Sequence, residues 1–358
     1  MKIISTGGKT WQQLCARQLV RKRRVEDRVR VIIEDVRLHG DEAVLRYTRR
    51  FDKVRLKPKQ VRVTETETSA AFQHIDPNLS VHLKAAIQNV QVFYSKARVK
   101  PTRLVHHDGV LLADKFDPLD RVGIYIPGGT ASLVSTVYMT VIPARQAGVR
   151  EIVLATPPRP NGSIDPNILA VASLLRVDEI YKMGGAQAIA AMALGTKLIR
   201  KVDKLVGPGN AYVAEAKRQL FGFVDVDTIA GPSEIAIIAN HHSNPQYVMA
   251  DLLGESEHIG GLCFLITTSK SLAALAKKQI PGGYCLIVRN LEEAAEAANQ
   301  LAPEHLEIMV KSPKKLLKRI RTSGAIFLGP YSPVTVGDYI AGPSHVLPTG
   351  GSARTFSG

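Results

Sequence analysis

The segment Ala302-Pro303-Glu304-His305-Leu306-Glu307-Ile308 sets a carboxylate beside an imidazole, between a helix-forming run and an apolar strand-like run. Two adjacent groups that carry protons, placed where an element begins, are equipment for general acid/base catalysis. The alternative at Glu304 and His305 is an ordinary helix C-terminus with a cation near the dipole. Ala302-Pro303 argues against a helix that simply continues, because the residue before a proline is biased away from helix.

A second constellation lies upstream. Glu255 and His258 are three residues apart and would project from one face of a helix. Carboxylate oxygen and imidazole nitrogen both suit zinc, and Asp338, brought close by folding, would make a third ligand. Three protein ligands with an open position are a catalytic arrangement rather than a structural one. The alternative for Glu255 and His258 alone is an exposed polar helix end. Glu257 follows neither neighbour's phase and reads as a surface group; His241 and His242, in a polar loop, read as solvated.

Glycine corners form the third. Gly128-Gly129, Gly184-Gly185 and Gly207-Pro208-Gly209 each follow a strand-like run and precede a helix-like one. Such corners present free backbone N–H groups to anions, and glycine lets a ligand approach the backbone closely. Ligands of open α/β sheets bind at the carboxyl ends of the strands, so a dinucleotide across these corners is one reading. The other is that glycine is common at any such corner, and the usual three-glycine fingerprint is absent.

The elements that must position these groups alternate. Strand-like runs Arg121–Ile126, Glu151–Ala155, Val177–Met183 and Val202–Val206 alternate with helix-like segments that include Ala186–Leu194 and Asn210–Phe221. A second series has strands at Glu234–Ala239, Leu262–Thr267, Tyr284–Val288, Glu307–Val310 and Ala325–Leu328. Its helices are Pro245–Leu253, Ser271–Gln279, Leu291–Leu301 and Pro313–Arg321. This rhythm predicts two α/β domains with parallel sheets. Helices at Arg23–Leu38 and Asp41–Arg50 and a strand-turn-strand stretch at Thr102–Phe116 come first. The expected division is a helical N-terminal segment 1–22, a first domain of 23–125 plus 234–358 carrying the metal and acid/base residues, and an inserted domain 126–233.

At 358 residues with 45% apolar side chains, the chain suits two soluble globular domains. The net charge of +15 concentrates in residues 1–60, where seventeen Lys and Arg face seven Asp and Glu. The run Arg21-Lys22-Arg23-Arg24 leads into Val25–Leu38, whose Val29, Ile32, Ile33 and Val36 recur at helical spacing, so its charges fit a solvated face. No aromatic residues interleave with it to stack on bases, and nucleic acid is not the expected partner. Cys15, Cys263 and Cys285 have no metal-type spacing and imply thiols in a reducing compartment. With no apolar leader run at the N-terminus and Gly, Pro, Ser and Thr throughout Val122–Ala144, the expectation is a cytoplasmic protein without a membrane span.

Over nearly its whole length the chain resembles the histidinol dehydrogenase family. The matching segments are Gly123–Gly129, Gly185–Ala190, Gly207–Asn210, Ile229–Glu234, Ala302–Ile308 and Gly337–Thr349, in the family's order. The resemblance implies two incomplete Rossmann-like domains, a homodimer and an NAD- and zinc-dependent enzyme of histidine biosynthesis. That enzyme oxidises L-histidinol through the aldehyde to L-histidine. It places Tyr125, Gln187 and Asn210 at NAD-contacting positions and Glu304 and His305 on the acid/base pair. Ser233, His305 and His345 fall on substrate-contacting positions. Glu255, His258 and Asp338 fall on positions that hold zinc and, with it, the substrate amino alcohol.

The chain also departs from the family pattern. Glu255 stands where Gln is usual, Ile259 where Asp is common, and Leu133-Val134 where Tyr-Pro is typical. The family continues beyond Ser357-Gly358 into a segment with a further zinc-ligating His and a substrate-binding Glu that reach the partner's site. The alternatives are a paralogue that oxidises another polar alcohol and a truncated, catalytically silent member.

Overall fold

A computed structural model describes residues 1–16, 23–97, 105–113, 115–128, 133–229, 231–257 and 260–356. The chain opens with strand β1 (Lys2–Ile4) and helix α1 (Lys9–Cys15), followed by helices α2 (Arg23–His39), α3 (Asp41–Tyr47), α4 (Glu65–Ala71) and α5 (Pro77–Ser95). A hairpin, β2 (Val105–His107) and β3 (Val110–Leu112), leads to β4 (Arg121–Tyr125), α6 (Val134–Gln146), β5 (Glu151–Thr156) and α7 (Pro166–Leu174). Then come β6 (Glu179–Lys182), α8 (Gly185–Leu194), β7 (Lys204–Val206), α9 (Ala211–Leu220) and β8 (Asp225–Val226). The second series is β9 (Glu234–Ala239), α10 (Pro245–Ser256), β10 (Leu262–Thr267), α11 (Lys270–Gln279) and β11 (Tyr284–Ile287). It ends with α12 (Leu291–Leu301), β12 (His305–Ile308), α13 (Pro313–Leu317), β13 (Ala325–Leu328) and α14 (Val334–Tyr339).

Two compact units divide the chain. One comprises residues 1–22, 228–338 and 345–358; the other comprises 23–227 and 339–344. The expected pair of parallel α/β sheets is present: β1-β11-β10-β9-β12-β13 in the first unit and β6-β5-β4-β7-β8 in the second. The expected boundaries are not. Residues 23–125 do not accompany 234–358, because β4 pairs with β5 and β7 and makes this segment part of the five-stranded sheet. Residues 1–22 are not a helical segment of their own either. Lys2–Ile4 pairs with Tyr284–Leu286 as an edge strand too short to show a period.

In the six-stranded unit, alternation along β9 divides the core. Ile235, Ile237 and Ala239 face α10 and α11, joined by Val248, Leu252 and Leu272. Ala236 and Ile238 face Trp11 and the alanines of α12. Strands buried on both faces read as continuous apolar runs, which is how parallel sheets announce themselves. Cys263 and Cys285 are buried free thiols in this core, as their runs implied.

In the five-stranded unit, Val29, Ile32, Ile33 and Val36 of α2 pack on the small residues of α8, from Ala188 to Ala193. Alanine at these positions lets the two helices approach closely. The opposite face of the sheet is covered by α6 and α7. The uncharged stretch Val122–Ala144 resolves, in its described part, into β4 and buried α6. Among the described residues no helix is long and apolar enough to cross a membrane.

Candidate active site

Helix α12 ends where Ala302 adopts a left-handed φ of 48°, and Pro303 cannot extend it. Strand β12 then starts at His305, two residues earlier than the apolar run alone suggested. Glu304 and His305 therefore stand at the strand's leading end, both buried. Glu304 Oε2 accepts a hydrogen bond from the Glu234 backbone N–H at 3.0 Å, and the Ser233 side chain bonds the same carboxyl. His305 Nδ1 lies 3.1 Å from the Glu234 carbonyl, an acceptor only, so this nitrogen carries the proton. Nε2 is left facing Asp338 Oδ1 at 3.6 Å.

Burial pushes the Glu304 carboxyl up to about 7 against the pull of His305. Burial disfavours charge on His305, but Asp338, Glu304 and Glu255 outweigh it and raise the imidazole to about 9. The site thus holds mobile protons on two neighbouring groups. That is the equipment expected of an acid/base pair.

Glu255, buried in the last turn of α10, lies close enough for its charge to act on both. His345 Nδ1 sits 2.8 Å from the Asp338 carbonyl oxygen, and burial lowers the basicity of the ring. The structure therefore brings together Ser233, Glu255, Glu304, His305, Asp338 and His345. His258 and Ile259, and with them the pairing of Glu255 with His258, lie outside the described residues. Among the described residues no three His, Cys, Asp or Glu side chains form a metal-holding group. The buried carboxyl of Glu255 and that of Asp338 nevertheless supply oxygen donors of the kind that suits zinc. Glu257 is exposed, as read.

The five-stranded unit contains a cavity of about 990 Å³ lined by Tyr125, Gln187 and Asn210 together with the Gly128 and Gly185 corners. The glycines are structural necessities here. Gly207 has a φ of 112°, and a Cβ on it would sit 2.2 Å from the Tyr125 carbonyl oxygen. Its N–H donates to Asp227 at 2.7 Å, and its carbonyl accepts from the buried Lys217 Nζ at 2.6 Å. Tyr125 Oη accepts the Gly185 N–H at 3.0 Å, and burial pushes its phenol to about 12. Asn210 caps α9, with Oδ1 accepting from Tyr212 and Val213, so its exposed amide N–H₂ remains for a ligand. Gln187 is fully buried, and its Oε1 has no hydrogen-bond partner among the described residues.

One lining residue was not evident from the sequence. Asp52 ends a short π-helical turn that continues α3, accepts the Gly184 N–H, and is pushed up to about 6 by burial. Gln187 Nε2 approaches its Oδ2 at 3.5 Å. Nothing in the charged run around residue 52 signals this placement; only the packing of α2 and α3 on α8 reveals it.

A family model described as "Histidinol dehydrogenase" matches residues 15–358. The histidinol dehydrogenase of Listeria monocytogenes serovar 1/2a is 46% identical over 93% of this chain and 82% of its own length. That of Moorella thermoacetica is 45% identical over 98% of this chain and 87% of its own length. A crystal structure of histidinol dehydrogenase from Elizabethkingia anophelis superposes with a TM-score of 0.92 at 34% identity, covering all of this chain and 87% of that one. Sequence, fold and the cluster on β12 agree: the chain belongs to the histidinol dehydrogenase family.

Proposed function

We propose that Glu304 and His305 carry the proton transfers of an L-histidinol oxidation that uses NAD and zinc. The chain is an oxidoreductase of histidine biosynthesis; the assignment of roles to individual residues is what the geometry supports. The observation that carries it is the buried Glu304–His305 pair, with Asp338 Oδ1 3.6 Å from the imidazole and the Ser233 side chain bonded to the carboxyl.

In its neutral form, with Nε2 unprotonated, His305 would take the hydroxyl proton of the alcohol, since an alcohol is a poor hydride donor until that proton leaves. An imidazole raised to about 9 reaches that form increasingly as pH rises toward 9. The Glu234 carbonyl holds the ring through Nδ1 and directs Nε2 into the site. Glu304, with a carboxyl near 7, would activate the water that hydrates the aldehyde before the second oxidation. Assistance of this kind is worth about 10²–10⁴-fold. When bound, NAD supplies the electron acceptor for each of two oxidations, and zinc orients the amino alcohol through its nitrogens. Glu255 and Asp338, with His258, are the residues proposed to hold the metal, and His345 and Ser233 to contact substrate. Tyr125, Gln187 and Asn210 are proposed to contact NAD in the cavity they line.

A homodimer is part of this reading. Val105, Val110, Leu111 and Leu112 of the β2–β3 hairpin are all exposed, and an isolated two-stranded hairpin gains little stability from its own pairing. Sedimentation would measure it.

The test is NADH production from L-histidinol with added zinc in wild-type, Glu304→Gln and His305→Asn proteins. Two NADH per histidinol in wild type, and a loss of at least about 10²-fold in each variant without unfolding, are expected. Variants with undiminished rates would overturn the assignment.

A further inference from the structure

Three elements bring the proposed chemistry together: β12 carries His305, α10 carries Glu255 and α14 carries Asp338. Each also carries a second residue one repeat along on the same face. Glu307 lies two positions from His305 on the strand; Asp251 and Val334 lie four positions before Glu255 and Asp338 on their helices. These three meet as well. Glu307 is fully buried in the middle of the sheet, and its Oε1 accepts the Val334 N–H at 2.9 Å. Its carboxyl also lies against that of Asp251, and burial holds both above the ordinary carboxyl range. Phe327, its register partner on β13, stands 6.0 Å from the His305 ring and fills the space where a Cβ on Gly337 would sit, at 2.5 Å.

A buried carboxyl at the centre of a parallel sheet, flanked in register by Ile237 and Phe327, is costly where an aliphatic side chain would pack well. We propose that Glu307 is a positioning residue: one carboxyl ties β12 to α10 and α14 one layer beneath the site, and so sets the spacing of His305, Glu255 and Asp338. This tie rests on the function proposed above, because its purpose is to hold the metal and proton-transfer groups in place. Partners of this kind that act on ligands from behind typically change metal affinity by about 10–100-fold.

Three variants test it: Glu307→Gln, Glu307→Leu and Val334→Pro. Gln keeps an acceptor for the Val334 N–H and a group for Asp251. Leu removes both. Pro deletes only the N–H donor, at the first position of α14, where proline is tolerated. The readouts are the zinc dissociation constant of metal-stripped protein by titration with zinc alone, kcat with L-histidinol, and NAD affinity as a control in the other unit. Expected are zinc binding weakened about 10–100-fold and a lowered kcat in Glu307→Leu and Val334→Pro, rescue by Gln, and NAD affinity unchanged throughout. Should Glu307→Leu fail to fold, Val334→Pro alone decides. Wild-type zinc affinity in Val334→Pro, or a Gln variant as impaired as Leu, overturns the tie while leaving the function standing. Wild-type protein that takes up no zinc overturns the function and the tie with it.

Discussion

Replacing Asp52 with asparagine separates the stability effect of this carboxylate from its effect on the cavity. Burial raises its pKa from the ordinary 3.8 to about 6. Between those values the folded chain holds this proton more tightly than the unfolded chain does. Its contribution to stability therefore falls as pH rises from about 4 to about 6 and stays low above that. At about 1.4 kcal/mol per tenfold change in acidity, the full conversion is about 3 kcal/mol. The side chain is only half-buried, and solvent screening reduces this to about 1–2 kcal/mol. Asp52→Asn keeps an oxygen for the Gly184 N–H and removes the charge. It should match wild type near pH 4 and exceed it by about 1–2 kcal/mol at pH 7 in urea unfolding. The nearby Tyr125 phenol titrates at about 12 and does not interfere. The same variant should raise the KM for NAD about fivefold to tenfold, because the Gln187 amide loses a charged acceptor worth about 1 kcal/mol. Parallel stability curves for the two proteins between pH 4 and 7 would refute the reasoning.

Other outcomes follow from particular contacts. Gly207→Ala forces a Cβ against the Tyr125 carbonyl in a left-handed backbone, and should cost more than about 3 kcal/mol, read as a fall in Tm and lost NAD binding. Lys217→Met leaves the Asp227 carboxylate without its buried cation and should cost about 3–5 kcal/mol; adding Asp227→Asn should recover most of it in chemical denaturation. Tyr125→Phe strands the Gly185 N–H at the mouth of α8 and should cost about 1–3 kcal/mol, with a matching rise in the NAD dissociation constant. Trp11→Ala should destabilise by about 3–5 kcal/mol, because Trp11 anchors the N-terminal segment in the six-stranded core and its indole donates to Gln300; a Tm unchanged from wild type would show that this segment contributes nothing.

What the sequence determined by itself is local. Apolar runs marked the strands of both parallel sheets except the edge strands β1 and β8, and the spacing of Val29, Ile32, Ile33 and Val36 marked the buried face of α2. The Ala302-Pro303 break announced that Glu304 and His305 would not sit on a continuing helix. Motif resemblance supplied the family. Tertiary structure alone decided which segments share a core, because strand order depends on crossovers that leave no local periodicity. Residues 23–125 join the five-stranded unit for this reason, and three residues at the N-terminus join the other sheet. It also decided the company each polar group keeps. Asp52 looks like any charged residue until packing brings it to Gly184 and Gln187, and Glu307 and Asp251, fifty-six positions apart, meet only because α10 covers the face of the sheet that β12 presents to it. A carboxylate's role is set by burial and neighbours, and both are properties of the folded chain.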